Sequence, residues 1–506
     1  MDLVALGVGL AIFATIALIN APRAAIWFDE AFSAYLVQFN FIDIALFTGN
    51  DVHPPLYYWV LKVWTMFFGT TELALRSLSI LLAGATIVVA FLLARKLFGR
   101  RVAWVSLLFL IVSPMLIRYS DEARMYTLSA LIVLSGTYVL LKAEELRRRR
   151  LWVGYGVLVS LGMWTHYFTA LAWLAHWVWR GLMVWRKGDG WKKFRTKFFT
   201  KDWIIAYAVA IGLYLAWLPF MLYQLGVVQF GGFWIGPVGV DTPANYLTNY
   251  FMYLEHGQVT GWVALVLLAV VVTVIALLPA VRRGLSATQR KGYALIASLA
   301  WAPPLLLFLA SLPPLRSSFV ERYLIPSLVA LSVFLAVVLV VGTRRWKPWL
   351  RVVPVLAIVG MMIFGITNVY YYGNFNKNSN THILTRDVIT AINAVAEPGV
   401  PIVASSPWVF YEAIPYSTDD HPVYFIDAST DYKYGSLDML KNRPQHKITD
   451  MAAFAAEHPV IWYIGNTQEA AVAPYDTSWV AGPTVSVTDP ITGNTIYKAT
   501  RYSIAP

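Results

Sequence analysis

The run Val259–Val281, VTGWVALVLLAVVVTVIALLPAV, has no charged residue in 23 positions. A helix of that length rises far enough to cross the roughly 30 Å hydrocarbon core of a bilayer. Working outward, the same reading applies to Trp203–Leu225, Tyr323–Val341 and Val352–Val369. The whole chain agrees, with 58% hydrophobic and 13% charged residues, a composition outside the range of one soluble core. The length rule places spans near 3–20, 76–95, 102–117, 126–143, 151–165, 167–185, 203–225, 259–281, 293–312, 323–343 and 352–371, about eleven helices. Pro55–Phe68 is apolar but short, and His53-Pro54-Pro55 prevents its extension backwards. It is predicted to be an interfacial or re-entrant helix.

The net charge of +12 is gathered in short loops: Arg95-Lys96 to Arg100-Arg101, Arg147–Arg150, Lys187 to Lys201, Arg282-Arg283 to Lys291, and Arg344-Arg345 to Arg351. If each span crosses once, all five loops share one face, as cytoplasmic loops do under the positive-inside rule. That alternation argues against nucleic acid as the partner of these cations. The N-terminus is then cytoplasmic, and the C-terminal region lies on the non-cytoplasmic side of what is expected to be the plasma membrane. Met1–Asn20 has no basic n-region and no small-residue cleavage site, so it is expected to stay as the first span. The absence of cysteine excludes disulfides and thiolate metal sites.

Past residue 371 the pattern changes. Tyr370–Thr381 is rich in Asn and Tyr, and a domain boundary is predicted there. Strands are predicted at Val400–Ser405, Pro422–Ile426, Pro459–Gly465 and Thr484–Thr488, and helices near Thr385–Ala396 and Asp450–Glu457, the latter capped by Thr449 or Asp450. The fold class is thus an all-α polytopic membrane module over 1–371, with a first outward loop at 22–75, plus a small soluble α/β domain over 372–506. That domain contains no phosphate loop, nucleophile elbow or metal spacing.

The outward loops carry the chemistry. The first contains Trp27-Phe28-Asp29-Glu30, then Asp51-Val52-His53-Pro54-Pro55-Leu56-Tyr57-Tyr58. Aromatic flanks make ionisation of Asp29 and Glu30 costly and each a candidate general base, against the plain alternative of a solvated acidic pair. A second cluster, Arg118-Tyr119-Ser120-Asp121-Glu122-Ala123-Arg124-Met125-Tyr126, faces the same side, as do Arg316 and Arg322. Cations are depleted on that face, so these four arginines suggest a bound anion. Ion pairing within the loop, or snorkelling to headgroups, is the alternative. His53 and His166 complete the set. Each reads either as a hydrogen-bonded structural histidine, as a ligand of a divalent metal with Asp29, or as a donor to phosphate. Glu255-His256 is a weaker candidate, and the many Trp and Tyr side chains read as an interfacial belt.

These motifs resemble those of the GT-C glycosyltransferases, with protein O-mannosyltransferases and aminoarabinose transferases as the most similar branches. The resemblance rests on Asp29-Glu30 after the first span, His53-Pro54-Pro55-Leu56 in the same loop, Glu122-Ala123-Arg124-x-Tyr126, and Arg322-Tyr323-Leu324-x-Pro326. It covers roughly residues 1–371. It implies inverting transfer of a sugar from a polyprenyl-phosphate carrier to an acceptor lipid, glycan or protein on the outer face of the membrane, with Asp29 as base. Glu30 would tune Asp29 or place the acceptor, Arg124, Arg322, His53 and Arg316 would meet the phosphate, and Glu122, Tyr126 and His166 are further candidates. Phe32 stands where aminoarabinose-transferring relatives carry an arginine. A divalent metal is neither required nor excluded by the sequence. The rival class, a transporter or lipid flippase, usually places acids at mid-membrane depth on paired, broken repeats. The spans from 102 to 371 are nearly free of acids.

Overall fold

The computed structural model describes residues 2–185, 190–231, 235–254, 261–372, 385–426, 438–441, 445–466, 478–489 and 493–504. Most of the expected boundary segment, and Glu255-His256, lie outside these residues. The chain opens with α1 (Asp2–Asn20), then three helices of the first loop, α2 (Phe28–Leu36), α3 (Phe41–Asn50) and α4 (Leu56–Phe68). Next come α5 (Glu72–Phe98), α6 (Arg100–Ile111), α7 (Pro114–Ser120), α8 (Tyr126–Leu146), α9 (Arg149–Thr165), α10 (Thr169–Val184) and α11 (Trp191–Phe198). The helical part closes with α12 (Lys201–Tyr214), α13 (Leu218–Gly231), α14 (Thr242–Met252), α15 (Gly261–Gly284), α16 (Ala287–Ala310), α17 (Ile325–Gly342) and α18 (Pro348–Tyr372).

Seven of these helices are long and apolar enough to cross a membrane among the described residues, or nine if each of two bent pairs is one span. The expected count of about eleven is not reached. The difference is α9 and α10, which align with two expected spans but have only 17 and 16 residues. The pairs α6–α7 and α12–α13 turn through 56° and 76°. Proline accounts for both breaks. Pro114 starts α7, with Ser113 Oγ accepting the Leu116 N–H at 3.3 Å, and Pro219 follows the second break at a position where a helix interior would lack a donor. The short helix after Pro55 is present as α4, ended by Gly69 at φ +77°.

The centre of the bundle is α17. Nearly all its side chains are buried, as expected of a helix that is apolar all round. It runs about 27 Å at 1.5 Å per residue, from Arg322 at one end of the bundle to the basic Arg344 loop at the other. Close helix crossings depend on glycine: a Cβ at Gly156 of α9 would run into the Ala206 carbonyl oxygen of α12. One at Gly365 of α18 would meet Pro114 and Met252 at 2.7 and 2.9 Å, so that glycine lets α7 and α14 seat against α18.

Beyond α18, α19 (Thr385–Asn393), α20 (Pro407–Ala413), α21 (Asp438–Lys441) and α22 (Met451–Glu457) accompany a six-stranded sheet. Its strands are β1 (Ile402–Ala404), β2 (Val423–Ile426), β3 (Lys447–Ile448), β4 (Val460–Asn466), β5 (Trp479–Thr488) and β6 (Thr495–Ile504), in the order β3-β2-β1-β4-β6-β5. The first four are parallel, and β6 joins β4 and β5 antiparallel. Asp450, one of the two expected caps, accepts the Ala453 N–H at 3.0 Å.

This α/β region packs directly on α2. Phe28 lies against Trp408 (ring centroids 4.6 Å apart) and Tyr411 (5.8 Å). The Tyr416 hydroxyl accepts the Ile26 N–H at 2.8 Å and donates to Glu72. Arg386 donates to Glu72 at 2.8 Å and to the carbonyls of Pro22 and Arg23 at 3.0 and 2.9 Å. The backbone leading into α2 is therefore held from both sides.

Candidate active site

Helix α2 begins at Phe28 after an extended Trp27 that offers no side-chain cap, so Asp29 and Glu30 occupy the first turn, where the helix dipole favours negative charge. The two carboxylates have opposite surroundings. Glu30 is 1% exposed and clasped by Arg76 of α5, with Nε to Oε1 at 2.8 Å and Nη2 to Oε2 at 2.6 Å. Glu30 Oε1 also accepts the Ala123 N–H at 3.0 Å. Arg76 spends its remaining donors on the carbonyls of Ala21, Ala24 (2.8 Å) and Ala25 (3.1 Å). Glu30 thus ties α2, α5 and the 121–125 loop together. Asp29 is 22% exposed, and its Oδ2 lies 3.7 Å from Arg322 Nη1.

Two arginines flank Asp29. Arg124 is 2% exposed; its Nη1 donates to the Tyr58 hydroxyl at 2.7 Å and to the Asp29 carbonyl at 3.4 Å. Its guanidinium also lies 5.9 Å from the centre of the Phe32 ring. Among the described residues Arg124 makes no ion pair, so this buried cation makes its hydrogen bonds to neutral groups while Asp29 and Asp51 act on it only from farther off. Such a group is costly unless an anion joins it. Arg322 precedes α17 and sits among the rings of Trp27, Tyr126 and Tyr323, 5.7 to 6.0 Å from their centres.

His53 joins Asp51 to Arg124. Its Nδ1 is 3.1 Å from Asp51 Oδ2 and its Nε2 is 3.4 Å from Arg124 Nη2. Burial, then Arg124, pushes its pKa down against the opposing pull of Asp51. These partners fit a neutral ring with the proton on Nδ1, donating to Asp51 and accepting from Arg124. His166 is also held neutral by burial, its pKa well below the ordinary value, and its ring packs on Tyr323 at 4.8 Å and Tyr126 at 5.9 Å.

Behind this layer, Glu122 is fully buried 2.7 Å from Arg118, whose Nε donates to the Tyr253 hydroxyl at 3.1 Å. Burial raises the Glu122 pKa, with Arg118 opposing. Asp121 accepts from Asn20 Nδ2 at 2.6 Å, and burial pushes its pKa up to about 8. Of the residues expected from sequence, Asp29, Arg124, Arg322, His53, Tyr126 and His166 come together, and Glu30 and Glu122 brace them. Arg316 is exposed and donates to the Gln229 carbonyl at 3.0 Å instead. Among the described residues no group of three or more His, Asp or Glu is placed to hold a metal ion.

The sequence reading missed Arg76, Tyr58 and Asp51. Arg76 carried a usable signal, since an arginine at the start of an apolar span demands a partner.

Residues 52–220 match the family model described as dolichyl-phosphate-mannose-protein mannosyltransferase, a stretch that holds His53, Tyr58, Glu122, Arg124 and Tyr126. No curated protein matches the chain in sequence. Among solved structures, ArnT from Cupriavidus metallidurans in the apo state aligns with a TM-score of 0.60 at 13% identity, covering 98% of this chain and 97% of that one. The chain has the GT-C glycosyltransferase fold. The same fold is shared with ArnT bound to undecaprenyl phosphate, at a TM-score of 0.59, 13% identity and the same coverage. The Archaeoglobus fulgidus oligosaccharyltransferase in its apo form aligns at 0.51 and 12% identity, over 98% of this chain and 74% of that one. Within this fold Asp29 lies on α2, against which the sheet region packs.

Proposed function

We propose that the protein is an integral membrane glycosyltransferase that moves a sugar from a polyprenyl-phosphate carrier to an acceptor hydroxyl on the outer face of the membrane, with inversion. The observation that carries this reading is the placement of a partly exposed carboxylate, Asp29, beside a buried arginine, Arg124, that makes no ion pair among the described residues. A carboxylate that reaches solvent can take a proton from an acceptor hydroxyl. A desolvated guanidinium stabilises the charge that builds on a departing phosphate.

Asp29 removes the acceptor proton as the acceptor oxygen attacks the anomeric carbon. The bond to the carrier phosphate breaks, and the electron pair stays on the phosphate oxygen. Phosphate leaves without a proton, so no second acid is needed, unlike in a glycosidase. Arg124 and Arg322 bind the phosphate. His53 and Tyr58 hold Arg124 in place, and the Glu30–Arg76 pair fixes the turn that presents Asp29. In this reading residues 1–371 form the catalytic module and 372–506 an outward domain that holds the approach to α2 and bears on acceptor choice. Bound undecaprenyl phosphate in the ArnT structure of the same fold supports the class of carrier. The basic loops at the opposite end of the bundle support a plasma-membrane protein with its site outward.

The reading is tested by supplying purified protein in lipid with radiolabelled polyprenyl-phosphate sugars and a membrane extract as acceptor. Transfer of label from at least one donor is expected. Failure of every polyprenyl-phosphate donor, with transfer from a nucleotide sugar, would overturn it.

A further inference from the structure

At the end of the bundle opposite Asp29, a cavity of about 840 Å³ opens between α6, α17 and α18. Four arginines line it, Arg100, Arg101, Arg344 and Arg351, and none of the lining residues is acidic. Arg100 pairs with Asp2, and Arg351 donates to the Trp346 carbonyl at 2.9 Å. The guanidinium groups of Arg101 and Arg344 make no hydrogen bond or ion pair among the described residues. Helices α6, α16 and α18 all begin at this end, so three positive helix termini point the same way. The first turn of α6 follows Gly99, which offers no side-chain cap, leaving its N–H groups open to a ligand.

The floor of the cavity is apolar, including Val105, Leu339, Val352 and Val355. A second groove of about 510 Å³, lined almost wholly by apolar side chains of α1 and α6, shares Trp104 with it and reaches Ile111. Along α6 that distance is about 10 Å. Cations that serve only to orient a membrane protein need no hollow. Here they come from two separate segments, the start of α6 and the connection from α17 into α18, and line one that adjoins an apolar groove at Trp104.

We infer that this end of the bundle binds an anionic glycerophospholipid, with its headgroup phosphate on Arg101 and Arg344 and an acyl chain along the α1–α6 groove past Trp104. The site stands apart from the transfer site and does not depend on the reaction proposed there. The test is native mass spectrometry of the full-length protein in neutral detergent, offered phosphatidylglycerol and phosphatidylcholine of matched chains in equal amounts. Wild type is expected to retain phosphatidylglycerol about tenfold over phosphatidylcholine. Arg101→Ala with Arg344→Ala removes that preference. Arg148→Ala with Arg149→Ala, from another basic loop, leaves it intact. Val105→Trp, which fills the cavity without changing charge, lowers retention of phosphatidylglycerol and decides the matter if the double arginine variant does not fold. Equal retention of the two lipids by wild type, an undiminished preference in the Arg101 and Arg344 variant, undiminished retention of phosphatidylglycerol by Val105→Trp, or an equal loss in the Arg148 and Arg149 control would overturn the proposal.

Discussion

The two ends of the helical bundle are both rich in arginine, and they use it differently. Around Asp29, Arg76, Arg118 and Arg124 are at most 2% exposed and Arg322 is 7% exposed. At the other end Arg95 and Arg100 keep about half of their side chains in solvent, at 51% and 49%. An exposed cation costs little and contributes little. A buried one must be matched, so its partners reveal what it is for. Arg76 and Arg118 are matched by Glu30 and Glu122. Arg124 makes its hydrogen bonds to neutral groups, with Asp29 and Asp51 acting on it from farther off, and in the proposed reaction a phosphate would complete its set.

That contrast ranks the expected effects of substitution. The largest belongs to Asp29: Asp29→Asn is expected to lower transfer by about 10²–10⁴-fold, the range for a positioned base. Arg124→Ala and Arg322→Ala follow, with losses of about 10²–10³-fold in turnover when transition-state charge goes unmet. Arg124→Lys recovers only part, because an ammonium cannot reach Tyr58, His53 and a phosphate oxygen from one planar fork. Single-turnover rates with saturating donor would check both.

Arg76→Ala acts on stability instead. It leaves Glu30 buried and unpaired, at an expected cost of about 3–5 kcal/mol, read from thermal unfolding in detergent. The double change Glu30→Leu with Arg76→Leu is expected to be more stable than Arg76→Ala alone, since no buried charge is stranded. If the double change is as unstable as the single one, the pair is not the brace described here.

A smaller effect concerns pH. Asp121 has a folded pKa of about 8 against an ordinary 3.8, so the folded state holds a proton that the unfolded chain has lost. Its contribution is fully present below about pH 4 and is lost as pH rises through about 8. Asp121→Asn keeps a polar partner for Asn20 without the charge, and is expected to flatten the fall in melting temperature between pH 6 and 8. At the opposite end, Arg148→Ala with Arg149→Ala is expected to change stability by less than about 0.5 kcal/mol.

Much of this was legible in the sequence because hydrocarbon leaves few options. Long apolar runs must be helices, and Val259–Val281 needed no other information. Asp29, Arg124 and Arg322 stood out because charges on that face are not explained by topology. What escaped was direction. A count of apolar residues takes Trp203–Leu225 as one span, although the chain turns 76° before Pro219. Arg76 was hidden in the same way, as the first residue of a run read for length. In the α/β region, β5 was read only from Thr484 and β6 was not read at all. Both lie towards the antiparallel edge, where β5 alternates few buried residues with many exposed ones and the hydrophobic pattern that marks a strand is faint. Which of the adjacent acids points to the cavity was also beyond the sequence, since Arg76 lies 46 residues from Glu30.

Asp29 and Glu30, neighbours in sequence, divide the labour between solvent-facing and bracing roles. The most direct test of that division measures transfer and thermal unfolding for Asp29→Asn and Glu30→Gln side by side, in the same lipid and at matched protein amounts. Asp29→Asn is expected to lower transfer by at least about 10²-fold and keep the wild-type unfolding temperature, whereas Glu30→Gln is expected to unfold several degrees lower and keep measurable transfer below that point. Full transfer by Asp29→Asn, with none from a folded Glu30→Gln, would contradict the account.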